Sequence, residues 1–300
     1  MEKVCVLMST YNGEKFIKTQ IESILNQKDV KVDLLVRDDG SSDNTCAILQ
    51  NYKAEGLIEW YNGENLGSAK SFWDLLLKAP KSKYYAFADQ DDYWLEDKLY
   101  RAISVIKSDG DIGSKLYFSK KTIVNEDLEG IDVQDEPVRG VGLEYSLIRG
   151  FAAGCTMLFN EELYKKLIEY TPKVMTMHDS WILKVAGAIG KVIYDNESRI
   201  LYRQHSNNAI GNQTRYKAFV RHISSISKLK NDDTRIIMAK QLVDYYSEMM
   251  SAKDVYFTKL LSDARNSFIS RIKMILTNYY QTQIKSDILS FKILILLGWI

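Results

Sequence analysis

Short apolar runs alternate with longer stretches of helical period along the first two thirds of the chain. Lys3–Ser9, Val32–Arg37, Leu57–Tyr61 and the aromatic run Tyr84–Ala88 each read as buried strands. Between them, Phe16, Ile17, Gln20, Ile21, Ile24 and Leu25 recur at helical spacing. A second helix runs from a Ser42 or Asp43 cap to about Tyr52, and a third carries Trp73, Leu76 and Leu77. A helix from about Leu95 to Ser108 follows, then a short strand at Leu116–Ser119. Strand character resumes at Ala152–Phe159, Glu161–Tyr170 is helical, and another helix opens at Met177-His178-Asp179-Ser180-Trp181 and ends near Gly190. Val192–Tyr194 and Arg199–Arg203 read as two last short strands. This alternation predicts an α/β fold with a mainly parallel sheet. The polar, acidic stretch from Asn125 to Gly140 reads as a long loop, of a length that is often functional.

The most informative boundary lies where the Tyr84–Ala88 run stops. Asp89, Asp91 and Asp92 follow within four positions, at a strand end, where open α/β sheets bind ligands. Carboxylates this close repel one another, so a raised pKa or a bound hard cation is expected. The bland alternative is a solvated acidic turn capping the next helix. Asp179 is ambiguous in the same way, because an aspartate there also serves as a helix N-cap.

Composition adds a division. The formal net charge is only +1, yet from Arg215 onward there are 14 Lys/Arg against 7 Asp/Glu. We therefore divide the chain into a region 1–213 and a basic helical region 214–300. Nucleic acid or an anionic membrane surface could meet such a tail. No recognised nucleic-acid motif accompanies it, and His222 within it carries no assigned role. The nearly apolar stretch Ile288–Ile300 is too short to span a bilayer as one helix. It is a core helix, an oligomer contact or an interfacial anchor, flanked by Lys273, Lys285 and Lys292. Cys5, Cys46 and Cys155 form neither a disulfide framework nor a metal-type pair, and read as reduced thiols of a cytosolic protein. The chain enters a strand at Val4, which reads as the absence of a signal peptide.

Four stretches in order, Ser9-Thr10-Tyr11-Asn12, Asp38-Asp39-Gly40-Ser41-Ser42-Asp43, Asn65-Leu66-Gly67 and Asp89-Gln90-Asp91-Asp92, resemble the family-2 inverting glycosyltransferases of GT-A fold. The resemblance covers about the first 210 residues. The wording Ala88–Trp94, with His178-Asp179-Ser180-Trp181 and Tyr202-Arg203-Gln204-His205, is most similar to the bacterial rhamnosyltransferase branch, which builds surface polysaccharides. The resemblance implies a nucleotide-sugar pocket along Thr10, Tyr11 and Glu14, with Gln90 beside it. Either Asp38 or Asp39 would accept a hydrogen bond from the base, whereas Asp43 fits a helix cap better. Lys70 would reach a phosphate, Asp89 would face the ribose and metal, and Asp91 would ligate Mn²⁺ or Mg²⁺. His205 would approach the metal or diphosphate, and Asp179 matches the catalytic base. Asp92, Trp94, His178, Trp181 and Arg203 are candidate substrate contacts; for His178 a buried, hydrogen-bonded histidine is the equal alternative.

The resemblance further implies a dTDP- or UDP-sugar donor, with dTDP-rhamnose the expected one. It implies a lipid-linked saccharide acceptor and a protein at the inner face of the cell membrane, held there or dimerised through its C-terminal region. The chain lacks the Gln-x-x-Arg-Trp of the processive synthases, which points to single transfers. Around Lys70-Ser71 it also departs from the family's Arg-Asn pair. Two other classes compete. A sugar-nucleotide pyrophosphorylase would need a Gly-rich N-terminal phosphate loop that is missing here. A non-catalytic scaffold would have no use for the acids at Asp89, Asp91 and Asp179, or for His205.

Overall fold

The computed structural model describes residues 1–110, 112–131, 138, 140–205, 233–281 and 285–300. The expectations that fall on 206–232, including His222 and most of the basic stretch, lie outside the described residues, as does part of the 125–140 loop.

Seven strands form the main sheet: β1 (Glu2–Thr10), β2 (Val30–Asp38), β3 (Glu59–Asn62), β4 (Tyr84–Ala88), β6 (Lys115–Ser119), β8 (Met157–Asn160) and β9 (Lys191–Asp195). Their order is β3-β2-β1-β4-β8-β6-β9. All run parallel except β8, which pairs antiparallel with both β4 and β6. A smaller sheet joins β5 (Tyr93–Trp94), β10 (Ile200–Arg203) and β7 (Thr122–Val124) in the order β5-β10-β7. The expected α/β class and mostly parallel sheet are therefore observed.

Strand periodicity decides what each face buries. Along β1, Cys5 and Leu7 enter one core cluster, while Val4, Val6 and Met8 enter the other. Along β4, Tyr85 and Phe87 take the first face and Tyr84, Ala86 and Ala88 the second. Successive side chains point to opposite faces, so a continuous apolar run is what a strand covered on both sides requires. The second face is covered by α1 (Ile17–Leu25), α2 (Thr45–Ala54) and α4 (Lys98–Ser108) through Ile21, Leu49 and Ile103. The first is covered by α3 (Ser68–Lys78), α5 (Leu143–Ile148), α6 (Glu161–Glu169) and α7 (His178–Ile189).

Among the described residues, four C-terminal helices continue that first layer: α8 (Thr234–Tyr246), α9 (Ala252–Asp263), α10 (Phe268–Leu276) and α11 (Lys285–Leu297). Leu242, Leu261, Met274, Phe291 and Ile295 belong to the same core cluster as Leu7 and Phe87. One side of α11 is thus core, as one of the three expectations for Ile288–Ile300 held. Its other side is not. Leu289, Ile293, Leu296 and Leu297 are exposed, as are Phe268, Ile269, Ile272 and Leu276 of α10. Among the described residues no helix is long and apolar enough to cross a membrane.

The strand expected over Ala152–Phe159 is shorter. Gly154–Thr156 forms a single 3-10 turn, and β8 begins only at Met157. Because β8 is antiparallel, this turn lies at the end of the sheet where β1, β2 and β4 finish. That end carries the chemistry.

Candidate active site

The C-terminal ends of β1, β2 and β4 deliver Thr10, Asp38 and Asp89 to one edge of the sheet. Gln90 ties two of these ends together: its Oε1 accepts from Thr10 Oγ1 at 2.5 Å and Tyr11 N at 2.9 Å, and its Nε2 donates to Tyr11 O at 3.1 Å. The Tyr11 ring remains exposed beside this clamp. Asn12, in the left-handed region at φ 48°, accepts from Ser42 N at 2.8 Å. Glu14 Oε2 accepts from Asn44 N and Nδ2 at 2.9 and 2.8 Å, while Asp43 accepts from Glu14 N and Thr45 N. Asn44, not Ser42 or Asp43, precedes α2 as its cap residue, and Asp43 holds that helix start from one position earlier.

Both members of the Asp38-Asp39 pair are buried and already bonded. Asp38 accepts from Gly40 N at 3.1 Å and from Ser41 N and Oγ at 2.8 and 2.5 Å, around the left-handed turn at Gly40, φ +84°. Asp39 accepts from Leu66 N and Gly67 N, both at 2.9 Å, and pairs with Arg37. Arg37 was not singled out from sequence, yet it is the hub of this edge. Its guanidinium donates to Asp39, to Asp74 Oδ2 at 3.0 Å, to Ser71 Oγ at 2.9 Å and to Glu64 O at 2.9 Å. Its sequence signal was a cation between an apolar run, Leu34–Val36, and the acids Asp38 and Asp39. Lys70 lies exposed on the first turn of α3, three residues after Gly67.

The acidic loop is clipped from the C-terminal side. Arg203 N donates to Asp92 Oδ1 at 3.1 Å, Arg203 Nε donates to Asp91 O at 2.7 Å, and a third arm donates to Glu126 O. The guanidinium also sits 4.5 Å from the Phe16 ring centroid. His205 Nε2 lies 2.7 Å from Asp91 Oδ2, with its ring 5.0 Å from Phe16.

Burial pushes the Asp89 carboxyl up to about 7, and the nearby charges of Asp91 and Asp179 add to the rise. Asp92 is raised well above the usual carboxylate range, first by burial and then by Asp89 and Asp91. This is the like-charge conflict expected from the sequence, and it places Asp179 within electrostatic reach of the acidic loop. Asp179 occupies the first turn of α7, following Met177 rather than capping the helix itself. Its Oδ2 accepts from Gly154 N at 3.1 Å and its Oδ1 from Ser180 N at 2.6 Å. A carboxylate at a helix N-terminus is stabilised by the helix dipole.

Could these residues hold a divalent cation? One oxygen each of Asp89 and Asp92 and the Cys155 sulfur lie within 4.8 Å of one another, and Asp92 Oδ2 is buried without a hydrogen-bond partner. Hard cations favour carboxylate oxygens, and burial raises the Cys155 thiol well above its ordinary value, so sulfur ligation is disfavoured. The carboxylates of Asp89 and Asp92 are the hard donors of that group, and the Asp91–His205 pair adjoins them in sequence and through Arg203.

Three expected substrate contacts are corrected, the first being Asp92, which is fully buried with Oδ1 accepting from Arg203 N. Trp94 and Trp181 are both fully buried. The Lys98 ammonium sits 3.6 Å from the Trp94 ring centroid, and Trp181 packs in the core beside Tyr246. Neither offers surface to a substrate, because proximity to a motif in sequence does not confer exposure. His178 is also buried, stacked on Phe72 at 4.0 Å and edge-on to Phe87 at 4.8 Å. Among the described residues neither ring nitrogen has a hydrogen-bond partner, so the side chain is buried but not bonded there.

Comparison with known proteins identifies the family and the fold. The family model described as Glycosyl transferase family 2 matches residues 5–167. The chain is 29% identical over 224 residues to the dTDP-rhamnosyl transferase RfbG of Shigella flexneri, covering 70% of this chain and 76% of that protein. It is 31% identical over 119 residues to WfaP of Escherichia coli, a UDP-Glc:alpha-D-GlcNAc-diphosphoundecaprenol beta-1,3-glucosyltransferase, covering 40% of this chain and 45% of that one. By fold it is similar to the mannosyltransferase PcManGT of Pyrobaculum calidifontis, solved with GDP-Man and Mn²⁺, at TM-score 0.51 and 15% identity over 99% of this chain and 85% of that one.

Proposed function

The chain belongs to glycosyl transferase family 2, and from that premise we propose that it transfers single sugars, with inversion, from a nucleoside diphosphate sugar to a lipid-linked saccharide of a bacterial surface polysaccharide. The donor is dTDP-rhamnose, in keeping with the RfbG relative. The acceptor lipid is in keeping with the WfaP relative. The observation that carries the reading is geometric: Asp179 accepts from Gly154 N, and the next residue, Cys155, lies within 4.8 Å of the Asp89 and Asp92 carboxylates, which supports one centre for base and acidic loop.

Each residue has a task. Thr10, Tyr11 and Gln90 form one wall of the nucleotide pocket, and the Asp38 and Asp39 turns form the other. Lys70 reaches a phosphate. Asp91 and His205, with Asp89, would hold Mn²⁺ or Mg²⁺. A bound divalent ion neutralises the charge that grows on the departing diphosphate. Arg203 positions Asp91 through its backbone carbonyl and Asp92 through its carboxylate. Asp179 takes the proton of the acceptor hydroxyl while that oxygen bonds to the anomeric carbon and the carbon–phosphate oxygen bond breaks. General-base help of this kind contributes about 10²–10⁴-fold.

The C-terminal helices 234–300 bring the enzyme to the inner face of the cell membrane. Two exposed stripes support this. Leu289, Ile293, Leu296 and Leu297 lie along one side of α11, and Ile269, Ile272 and Leu276 along one side of α10. Helical apolar faces near lysines favour anionic bilayer surfaces.

The deciding experiment is a thermal-shift screen of nucleotide sugars with and without Mn²⁺, followed by a transfer assay on the best ligand. A ligand at a hundredfold excess over its Kd raises stability by about 2.7 kcal/mol. No shift with any sugar nucleotide, metal present, sinks the reading.

A further inference from the structure

We infer that a basic cavity beside α11, walled by Arg149 and Arg235, receives the phosphate or diphosphate group of a lipid-borne acceptor. The inference rests on the transferase reading above and assigns its acceptor a place.

The cavity has a volume of about 220 Å³. Ile148 and Arg149 line it from the end of α5, Arg235 from the start of α8, and Asp287, Ser290 and Phe291 from α11. Pockets that enclose a whole drug-sized ligand run to about 300–1,000 Å³, so this one suits a compact headgroup rather than a saccharide. Two guanidiniums converge on one small space, and guanidinium is the side chain best matched to phosphate oxygens.

Both arginines are held in place from below. Arg235 Nη2 donates to Ile148 O at 3.2 Å, and its guanidinium lies 5.4 Å from the Phe291 ring centroid. Arg149 Nη1 pairs with Asp287 Oδ2 at 2.9 Å, across 138 residues of sequence. That carboxylate is the internal anion an incoming phosphate must compete with. Arg149 keeps 41% of its side-chain surface exposed, so the pair is accessible from outside.

Position argues for a lipid-borne group. α11 lines the cavity with Asp287, Ser290 and Phe291, and presents Leu289, Ile293 and Leu296 to the exterior from its other side. One helix therefore separates an apolar exposed face from a cationic recess, the order in which a lipid tail and its phosphate are joined. The recess lies on the layer that carries the base: α8, which brings Arg235, packs against α7, the helix with Asp179 in its first turn.

The test is binding to metal-free protein, which does not depend on catalysis. The probes are farnesyl diphosphate and farnesol in detergent micelles, and inorganic pyrophosphate in solution, measured by calorimetry. The expected order is farnesyl diphosphate at least tenfold tighter than either of the others. Arg235→Gln should remove that advantage without altering nucleoside diphosphate binding. Asp287→Asn, which removes the carboxylate that competes for Arg149, should tighten farnesyl diphosphate severalfold, and it serves if the arginine variant does not fold. Equal affinity for farnesol, or variants without effect, overturns the inference. Pyrophosphate binding as tightly as the farnesyl compound overturns its lipid-borne part. Failure of sugar transfer with these results intact would instead sink the function reading alone.

Discussion

His205 Nε2 lies 2.7 Å from Asp91 Oδ2 and so fastens the segment after β10 to the acidic loop after β4, across 114 residues. Neither side chain is more than 16% exposed. Loss of a group that ligates or orients at a metal site costs about 10–100-fold in affinity. His205→Ala is therefore expected to raise the Mn²⁺ concentration for half-maximal activity by about that factor. Activity titrated against Mn²⁺ checks it; an unchanged midpoint removes His205 from the site.

Asp179 should behave differently from the metal residues. Asp179→Asn keeps the shape and its acceptance from Gly154 N, but an amide takes no proton. Turnover is expected to fall by about 10²–10⁴-fold. The Kd for donor should stay within about twofold, whereas Asp91→Ala should weaken metal-dependent donor binding. Calorimetry with the donor and single-turnover kinetics separate the two; normal turnover in Asp179→Asn means another base.

The layout of the site was legible where local pattern and chemistry coincide. The Tyr84–Ala88 strand has the boundaries its aromatic run announced, and the acids after it crowd as their spacing required. Less visible was whatever depends on partners distant in sequence. The two residues of β5 and the three of β7 are too short for periodicity, and exist because β10 pairs with both. The reversed direction of β8 has no sequence signal of its own. Trp94 and Trp181 looked like contacts because they adjoin motifs, but each is a large apolar surface that the core takes up. Arg37 was hidden because its four partners come from Asp39, Glu64, Ser71 and Asp74, on three separate segments.

His178 gives a pH signature. Burial pulls its imidazole down to about 4, and Asp179 only partly offsets this. Between about pH 6.5 and pH 4 the unfolded chain binds a proton that the folded one refuses, so this residue makes stability fall as pH falls through that window. His178→Phe removes the effect and matches the stacking on Phe72. Melting curves from pH 7 to pH 4 should show the variant gaining on the wild type as the medium acidifies, by up to about 3 kcal/mol. A constant gap across the range contradicts the buried neutral imidazole.

Gly63 is expected to be irreplaceable because of Arg37. A Cβ at this position would meet Arg37 Nη2 at 2.3 Å and Cζ at 2.7 Å. Arg37 cannot easily retreat, since Asp39 and Asp74 both accept from it. Gly63→Ala should cost about 1–3 kcal/mol by overpacking. It should also weaken donor binding, because the Asp39 carboxylate that holds Leu66 N and Gly67 N is fixed by the same arginine. Denaturant titration and donor calorimetry check both parts; a stable variant with normal donor affinity means the hub can shift.

The exposed stripes of α10 and α11 make a last prediction that separates a bilayer from a second copy of the chain. Leu276, Leu289 and Ile293 are 77%, 62% and 47% exposed, so changing them to Ser removes little internal packing. Fully burying a leucine or isoleucine side chain contributes about 1.5–3 kcal/mol. Three partial burials in a membrane interface then amount to roughly 3–4 kcal/mol, or about 10²–10³-fold in vesicle partition. The triple variant should leave vesicles of anionic phospholipid by that factor while its melting temperature stays close to wild type. Lys273 and Lys292 should each contribute about 1 kcal/mol more, lost as salt rises. If instead the stripes join two chains, the triple variant turns a dimer into a monomer in analytical ultracentrifugation, and vesicle binding is the same with or without it. Apolar side chains at i, i+4, i+7 and i+8 of α11 have to be covered by something, and these two measurements assign the cover to lipid or to protein.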